Sequence, residues 1–516
     1  MGVQNLPNTG NKFTGSRIFI PGIGISTYKV QKNEEISIRD NQYAGYINPS
    51  VTPTKSITPT PTITPTITPT FTPSPTVTPT VTPTLSPVPA QTFTFSASSA
   101  TVVSISFGLN SSGFASGGYV DWGDGNTSSI LNYTSSSYSN TYSSPYTGLI
   151  TIYYFGNINQ FTLSNSTTPN NSNVVIVDTV ELSTLVSLTL LQWSRGRVIG
   201  QFSDLPATLT NLNITWDYTT STTNDLPINL VIISLGQLGN TQLTGDISGI
   251  SNLTNLTLFS VSNGNTISGD ISGLTNSSLA TFVVSGNNTI SGDTVNMNLP
   301  SLTTINLGGQ NTVTGNIVNF PPTLVNLTFS GSHSLYGDIS NFNANLQSIA
   351  ITSGTGAIIG DLSDLPNSTY SVINLDGVNN LITGNTMTIP NISGSSFQVD
   401  FDYIYGDLSD LFSGNKYPNC IFNISSYNPN LLTYTNGVTS WGTETMALFT
   451  LQLGSYPLTS TENDNLLIDL DSYGGGVTWS SCYPTKTITL RGTRTSLSDT
   501  AVTSLNSKGV TITLTP

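Results

Sequence analysis

One histidine, two cysteines, four methionines and only 13 lysines and arginines are found among the 516 residues of this chain. Each scarcity excludes a class of function. The lone histidine, His333, lies in Gly331-Ser332-His333-Ser334 and is expected to be an exposed loop residue. A Ser-His-Asp mechanism or a zinc site therefore has almost no material to draw on. Cys420 and Cys482 are too few for a disulfide framework, and whether they pair is left open. A net charge of −14 argues against nucleic acid as a partner, because neutralising phosphates takes Lys and Arg. No run of about 18 apolar residues exists, so no membrane span is expected. The first residues lack the basic and apolar regions of a secretory signal: Ile18–Ile25 is short and is broken by Pro21, Gly22 and Gly24. Leu6 stands where a myristoylation motif requires Ser or Thr.

Charged residues make up 8% of the chain, against the usual quarter or so, while hydrophobic residues still reach 36% and recur periodically. Such a chain is neither a typical helical enzyme nor simply disordered. Thr, Val, Ile, Tyr and Phe outweigh the helix formers, which favours strands and turns. The expected fold class is mainly β, in five segments.

Residues 1–48 hold five basic and three acidic side chains, so a mildly basic head precedes a body that carries −16. The strand-like stretches Ser16–Val30 and Glu35–Arg39 are too little to bury a core alone, so this segment is read as an anchor that folds onto another protein. Residues 49–90 repeat a four-residue theme, as in Ile63-Thr64-Pro65-Thr66 and Ile67-Thr68-Pro69-Thr70. Proline at that density forbids helix and central strand and leaves an extended stalk. At about 3.1 Å per residue the stalk reaches on the order of 130 Å. A spacer needs only solubility, so the apolar Ile63, Ile67, Phe71, Val77, Val81 and Leu85 suggest an interface between stalks in a homo-oligomer; the threonines also suit O-glycosylation.

Residues 91–175 alternate as half-buried strands do, in Phe93-Thr94-Phe95 and Ser104-Ile105-Ser106-Phe107. Tyr119-Val120-Asp121-Trp122-Gly123-Asp124-Gly125 then runs a strand into a tight turn, followed by Tyr142, Pro145 and a strand Leu149–Phe155. This order resembles the polycystic-kidney-disease (PKD) family of immunoglobulin-like domains, although the family's aromatic is missing at Gly148-Leu149-Ile150. The resemblance implies a small β-sandwich acting as spacer or adhesive module, with Asp124 as a turn residue.

From residue 176 to 440 the chain repeats. Gly-Asp or Gly-Asn turns stand at Asp246, Asp270, Asp293, Asn316, Asp338, Asp361, Asn385 and Asp407, with glycine spacings of 24, 23, 23, 22, 23, 24 and 22. Ahead of each turn lies a strand with two inward positions, from Phe259/Val261 through Ile305/Leu307 to Phe397/Val399; the same spacing extrapolates back to Leu212/Ile214 and Leu188/Leu190. A unit of about 23 residues with one strand buries its apolar side only by stacking on its neighbours. The pattern Leu302-x-x-Ile305-x-Leu307-x-x-Gln310…Val313-x-Gly315-x-Ile317 resembles a leucine-rich repeat. It departs from the family in an inward Asn present only at times (Asn287, but Gln310), in an extra residue before the glycine turn, and in the absence of Pro after Ile. The eight turn residues are expected to form one column, each accepting backbone N–H groups of its own turn, with a row of bound cations as the rival account.

Residues 441–516 read as irregular terminal coils and a cap. Ile488-Thr489-Leu490…Leu497…Leu505…Val510-Thr511-Ile512-Thr513-Leu514 resembles the terminal cap of repeat adhesins of bacteria and their phages. The outward strand positions Ser260, Val283, Asn306, Thr328, Ala350, Asn374 and Gln398 are mostly small and polar. A binding site is therefore expected on loops, near Trp193 and Trp216, or in the cap. Glycoside hydrolysis needs two carboxylates, but the glutamates, Glu34, Glu35, Glu181, Glu444 and Glu462, all lie outside the regular repeats. No catalytic, cofactor or metal residues are assigned. The resemblances to repeat adhesins of bacteria and their phages, taken with the lack of a recognisable secretory signal and the scarcity of catalytic residues, lead to the expectation of a non-enzymatic virion protein of a bacteriophage, a fibre or decoration on head or tail. Residues 1–48 would dock on a capsid or tail protein, and the distal domains on a host surface glycan or protein. A bacterial cell-surface leucine-rich-repeat adhesin is the alternative, and a phage polysaccharide depolymerase stands behind both.

Overall fold

The computed structural model describes residues 18–20 and 24–26 and, from 91 onward, all but 111–117, 131–135, 155, 165–173, 195, 215–220, 237–242, 353, 368, 376–379, 389, 402, 413–420, 427–431, 436–457, 473–485 and 516. The stalk, Glu35–Arg39, Trp216, Cys420 and Cys482 lie outside the described residues. The chain divides into a unit of residues 1–84 and a unit of residues 85–516. In the first, Ile18–Ile20 pairs antiparallel with Gly24–Ser26.

The second unit is a mainly β, leucine-rich-repeat-like solenoid. Each coil contributes one strand to a long parallel sheet, with Phe259 beside Phe282, Phe282 beside Ile305, and Ile305 beside Leu327. After a turn the chain forms a short strand ending in Gly-Asp or Gly-Asn, and these strands make a second parallel ladder, as in Thr314–Asn316 beside Ser334–Asp338. A single 3₁₀ turn closes most coils, as Ile317–Asn319 and Ile339–Asn341 do. Period-2 alternation turns Phe259, Val261, Phe282, Val284, Ile305 and Leu307 inward, all fully buried. Leu256, Leu279, Leu302, Leu324 and Leu346, three residues ahead of each pair, fill the same core.

The first coils differ from the extrapolation. The inward pair after residue 188 is Leu191/Trp193, and Leu188 is the leucine three residues ahead of it. A further coil, with Ile233/Leu235 inward, intervenes before Phe259. Here the inward positions 191, 212 and 233 recur at 21 residues, and the step from 233 to 259 is 26. A fixed period of 23 therefore slips out of register.

The boundary expected at 175/176 falls inside the strand Val174–Asp178. The sheet runs across it: Asn157–Ser164 pairs in parallel with Leu190–Ser194 as the first rung, and Val174–Asp178 pairs in parallel with Arg197–Ile199. A solenoid end exposes the unpaired edges of both its ladders, which invites aggregation unless covered. One strand, Gln91–Asn110, covers both. Its Ile105–Asn110 half pairs antiparallel with Asn157–Leu163, and Ser96–Ser98 pairs antiparallel with Val174–Ile176. The two halves are joined at a bulge around Ser99, whose φ of 49° is the left-handed region. Along its other edge this strand pairs with Ser136–Tyr154, which also pairs with Gly118–Asp121.

At the far end the described residues form helix Ser460–Ser472, strand Lys486–Arg491, helix Asp499–Ser507 and strand Val510–Thr515. The two strands are parallel, with Ile488 beside Ile512 and Leu490 beside Leu514. Helices here take the place of 3₁₀ turns. Thr459 and Glu462 start the first through a reciprocal box: the Thr459 amide donates to Glu462 Oε2 (2.8 Å), and the Glu462 amide donates to Thr459 Oγ1 (3.3 Å).

Candidate functional site

The repeated polar groups of the coils are the candidate site, and each is fixed by local backbone geometry. The glycine before the turn residue takes positive φ in most coils, for example 113° at Gly269 and 133° at Gly337, a conformation that a Cβ disfavours. It also makes room between coils. A Cβ placed on Gly269, Gly292, Gly337 or Gly360 would press into the side chain of Asp246, Asp270, Asn316 or Asp338 of the preceding coil.

The turn residue that follows is extended (φ −94°, ψ 132° at Asp338) and caps the 3₁₀ turn. Its side chain accepts the amide two residues on. The donors are Ser248 to Asp246 (2.9 Å), Ser272 to Asp270 (2.8 Å), Val295 to Asp293 (2.8 Å) and Ser340 to Asp338 (2.9 Å). Ser363 to Asp361 (2.9 Å) and Ser409 to Asp407 (2.8 Å) continue the series. Asn316 and Asn385 do the same through Oδ1, accepting from Val318 (3.0 Å) and Met387 (2.9 Å). A neutral amide oxygen suffices because the partner is one N–H group. Asp178 makes an equivalent cap at the start, accepting from Val180 (3.0 Å).

Hydrogen bonds set the charge state of these carboxyls. The Ser248 hydroxyl and amide hold Asp246 below the usual carboxylate range, against a small upward push from the Asp270 charge; Ser272 does the same for Asp270. Burial pushes Asp361 and Asp407 upward, but their bonds from Ser363 and Thr383, and from Ser409 and Thr435, leave both lowered. Asp124 follows this rule in its own turn, lowered overall against burial by Asn140 and Asn126. Among the described residues no group of three His, Cys, Asp or Glu side chains is placed to hold a metal ion.

A second, buried ladder escaped the sequence reading by one residue. Asn287 and Gln310 are exposed, and their successors Asn288 and Asn311 point inward, fully buried. Asn265, Asn288 and Asn311 accept the amides of Leu243 (3.1 Å), Ile267 (2.8 Å) and Ile290 (2.7 Å) of the preceding coil. They donate back to Ser262, Ser285 and Gly308 carbonyls of their own turn. Asn380 repeats this with Ile358 (3.0 Å). The signal was available: each of these asparagines stands four residues before the turn glycine. The extra residue of each coil is accommodated by a glycine at positive φ, such as Gly264, Gly286 and Gly309.

Two further expectations are corrected. His333 is 2% exposed, its ring edge-on to Phe329 at 4.8 Å, because it takes a place in this ladder rather than on a loop surface. Trp193 offers no binding surface: it is fully buried, packed edge-on against Phe95 and tilted on Phe161, because it is the second inward residue of its strand. The outward face of the long sheet is half-exposed at Ser260, Asn306, Thr328, Ala350 and Asn374. Larger exposed apolar side chains gather on the short ladder: Tyr336, Ile359, Leu381 and Tyr405, with Ile359 and Leu381 direct strand partners.

The terminal unit uses carboxylates differently. Asp464, 1% exposed, accepts the Thr495 amide (3.0 Å) and the Thr495 and Ser498 hydroxyls (2.6 Å each). Buried Tyr434 donates to Asp469 (2.7 Å), and burial together with that carboxylate pushes the phenol well above its ordinary value.

No known family profile matches the chain, and no curated protein matches it in sequence. Among solved structures it is similar to a plant peptide hormone receptor, RGFR1, in complex with RGF2, at 16% identity and a TM-score of 0.35. The alignment covers 65% of each chain, so this chain spans just under two thirds of that receptor's length.

Proposed function

We propose that the chain is a non-enzymatic display protein of a bacteriophage particle, a fibre or decoration on head or tail. Residues 1–48 dock it to a capsid or tail protein, the Thr/Pro tract 49–90 projects it, and the repeat unit meets a host surface glycan or protein. In this reading residues 91–175 serve as a PKD-like spacer that also seals the first coil. One observation carries the proposal: the polar side chains that recur in most of the described coils are committed to backbone hydrogen bonds inside the solenoid. Groups so committed build a rigid, extended surface and leave no converging acid, base and nucleophile. A stiff scaffold behind a long proline-rich spacer is suited to contact at a distance.

The test deletes residues 2–48 in the phage genome. The truncated protein is expected to be soluble and folded by circular dichroism but absent from purified particles, where the full chain is detected by mass spectrometry. Incorporation of the truncated chain would overturn the anchor. Recovery of the full chain with a bacterial envelope, and not with particles, would establish the cell-surface adhesin instead. Shortening of purified host polysaccharide by the protein would establish a depolymerase.

A further inference from the structure

One member of the buried asparagine ladder can titrate. His333 stands four residues before Gly337, the place that Asn265, Asn288, Asn311 and Asn380 hold in their coils. Its Nε2 lies 3.1 Å from the Leu307 carbonyl oxygen. A carbonyl only accepts, so Nε2 carries the proton at neutral pH. The other nitrogen, Nδ1, is buried and has no hydrogen-bond partner, whereas each asparagine uses its Oδ1 to accept an amide of the preceding coil. The ring is faced by the Leu307, Ser330 and Val313 carbonyls and by Phe329, and no charged side chain contributes to its electrostatics from any strand packed against it. The next coil is weaker still: Gly356 fills its ladder position and supplies no side chain, and a Cβ there would collide with the Leu335 backbone.

We infer that His333 is an acid-sensitive joint in the solenoid. The neutral imidazole links the coil of Leu307 to the coil of Phe329. Its protonation places an uncompensated cation in a buried site faced by no carboxylate and so destabilises the packing of these coils, in a stretch where two successive coils lack the ladder asparagine. Burial dominates over the facing carbonyls and lowers the affinity of the ring for a proton. The unfolded chain, with an ordinary value of about 6.5, then binds the proton more readily than the folded one. The stabilising contribution is complete above about pH 6.5 and is lost as pH falls through the folded value.

Because His333 is the only histidine in the chain, its ring Hε1 resonance can be followed by NMR in the full-length protein. The expected midpoint lies below about 6.5. Thermal melts should show the melting temperature falling by about 2–4 °C between pH 7.5 and pH 5. In His333→Asn, which restores the ladder residue, that fall should disappear. A midpoint at or above about 6.5, or an equal fall in His333→Asn, would overturn the joint. The NMR titration needs only the unaltered chain, so it decides even if the variant folds poorly.

Discussion

The middle coils and the terminal unit solve the same problem, the orphan polar groups at the ends of short helical turns, in opposite ways. In the coils each aspartate reaches two residues along its own chain, as Asp293 does to Val295. In the terminal unit Asp464 reaches 31 residues, to Thr495, and Asn463 donates to the Arg491 and Thr493 carbonyls. Such a cap can be copied from coil to coil, although Asp361 and Asp407 also accept from Thr383 and Thr435 of the next coil. A long-range cap, such as that of Asp464, fixes one element against another. Between them lies the asparagine ladder, which is repeated yet binds each coil to the one before. The cost of losing a side chain should therefore follow the reach of its bonds.

The largest effect is expected at Asp464. Replacing it by Ala leaves the part-buried Thr495 amide and the Thr495 and Ser498 hydroxyls without their acceptor, a loss of about 3 kcal/mol read by urea denaturation of the terminal unit. A loss as small as that of a coil cap would erase the distinction. Next comes Asn311→Ala, which strands the Ile290 amide and removes a donor from the Val284 and Gly308 carbonyls; about 2 kcal/mol is expected, with faster hydrogen exchange at Ile290. Acidification acts on the coil caps collectively. Asp246, Asp270, Asp361 and Asp407 have lowered folded values, so their stabilisation is full above about pH 3.9 and is lost as pH falls through those values. Circular dichroism should therefore show a loss below about pH 4, separate from any change near pH 6. Asp293→Ala should cost about 1 kcal/mol and Asp293→Asn only a few tenths, because Asn preserves the acceptor. The smallest effect is none: EDTA should leave the melting temperature unchanged. A large drop restored by calcium would replace the capping account with a row of cations.

The glycine rhythm from Gly245 to Gly406 is legible in the sequence because a positive φ at a fixed place admits few residues besides glycine. The alternation of Ile305 and Leu307, or of Phe282 and Val284, is legible for the same local reason, since strand geometry sends alternate side chains to one side. The asparagine ladder was misplaced by one residue because the extra residue of each coil turns Asn287 outward and Asn288 inward, and that depends on how the turn closes. The coil of Ile233 and Leu235 was missed where the period shortens to 21 residues and then lengthens to 26. His333 looked like a loop residue because Gly331 and the two serines around it are turn formers; its burial comes from the coils above and below.

What the sequence determined alone is everything set by backbone chirality and side-chain size within one coil: the inward pairs, the glycine turns, the aspartate or asparagine beside each. Tertiary structure decided what depends on contacts between coils or across many residues. It placed Asn311 and His333 in one buried ladder and carried Asp464 to Thr495 and Ser498. It also bent Gln91–Asn110 over the edges of two ladders at once, so that a segment resembling a separate sandwich became the closure of the solenoid. Short-range conformational preferences are written residue by residue, whereas the free energy of covering an open sheet edge belongs to whichever distant strand fits there.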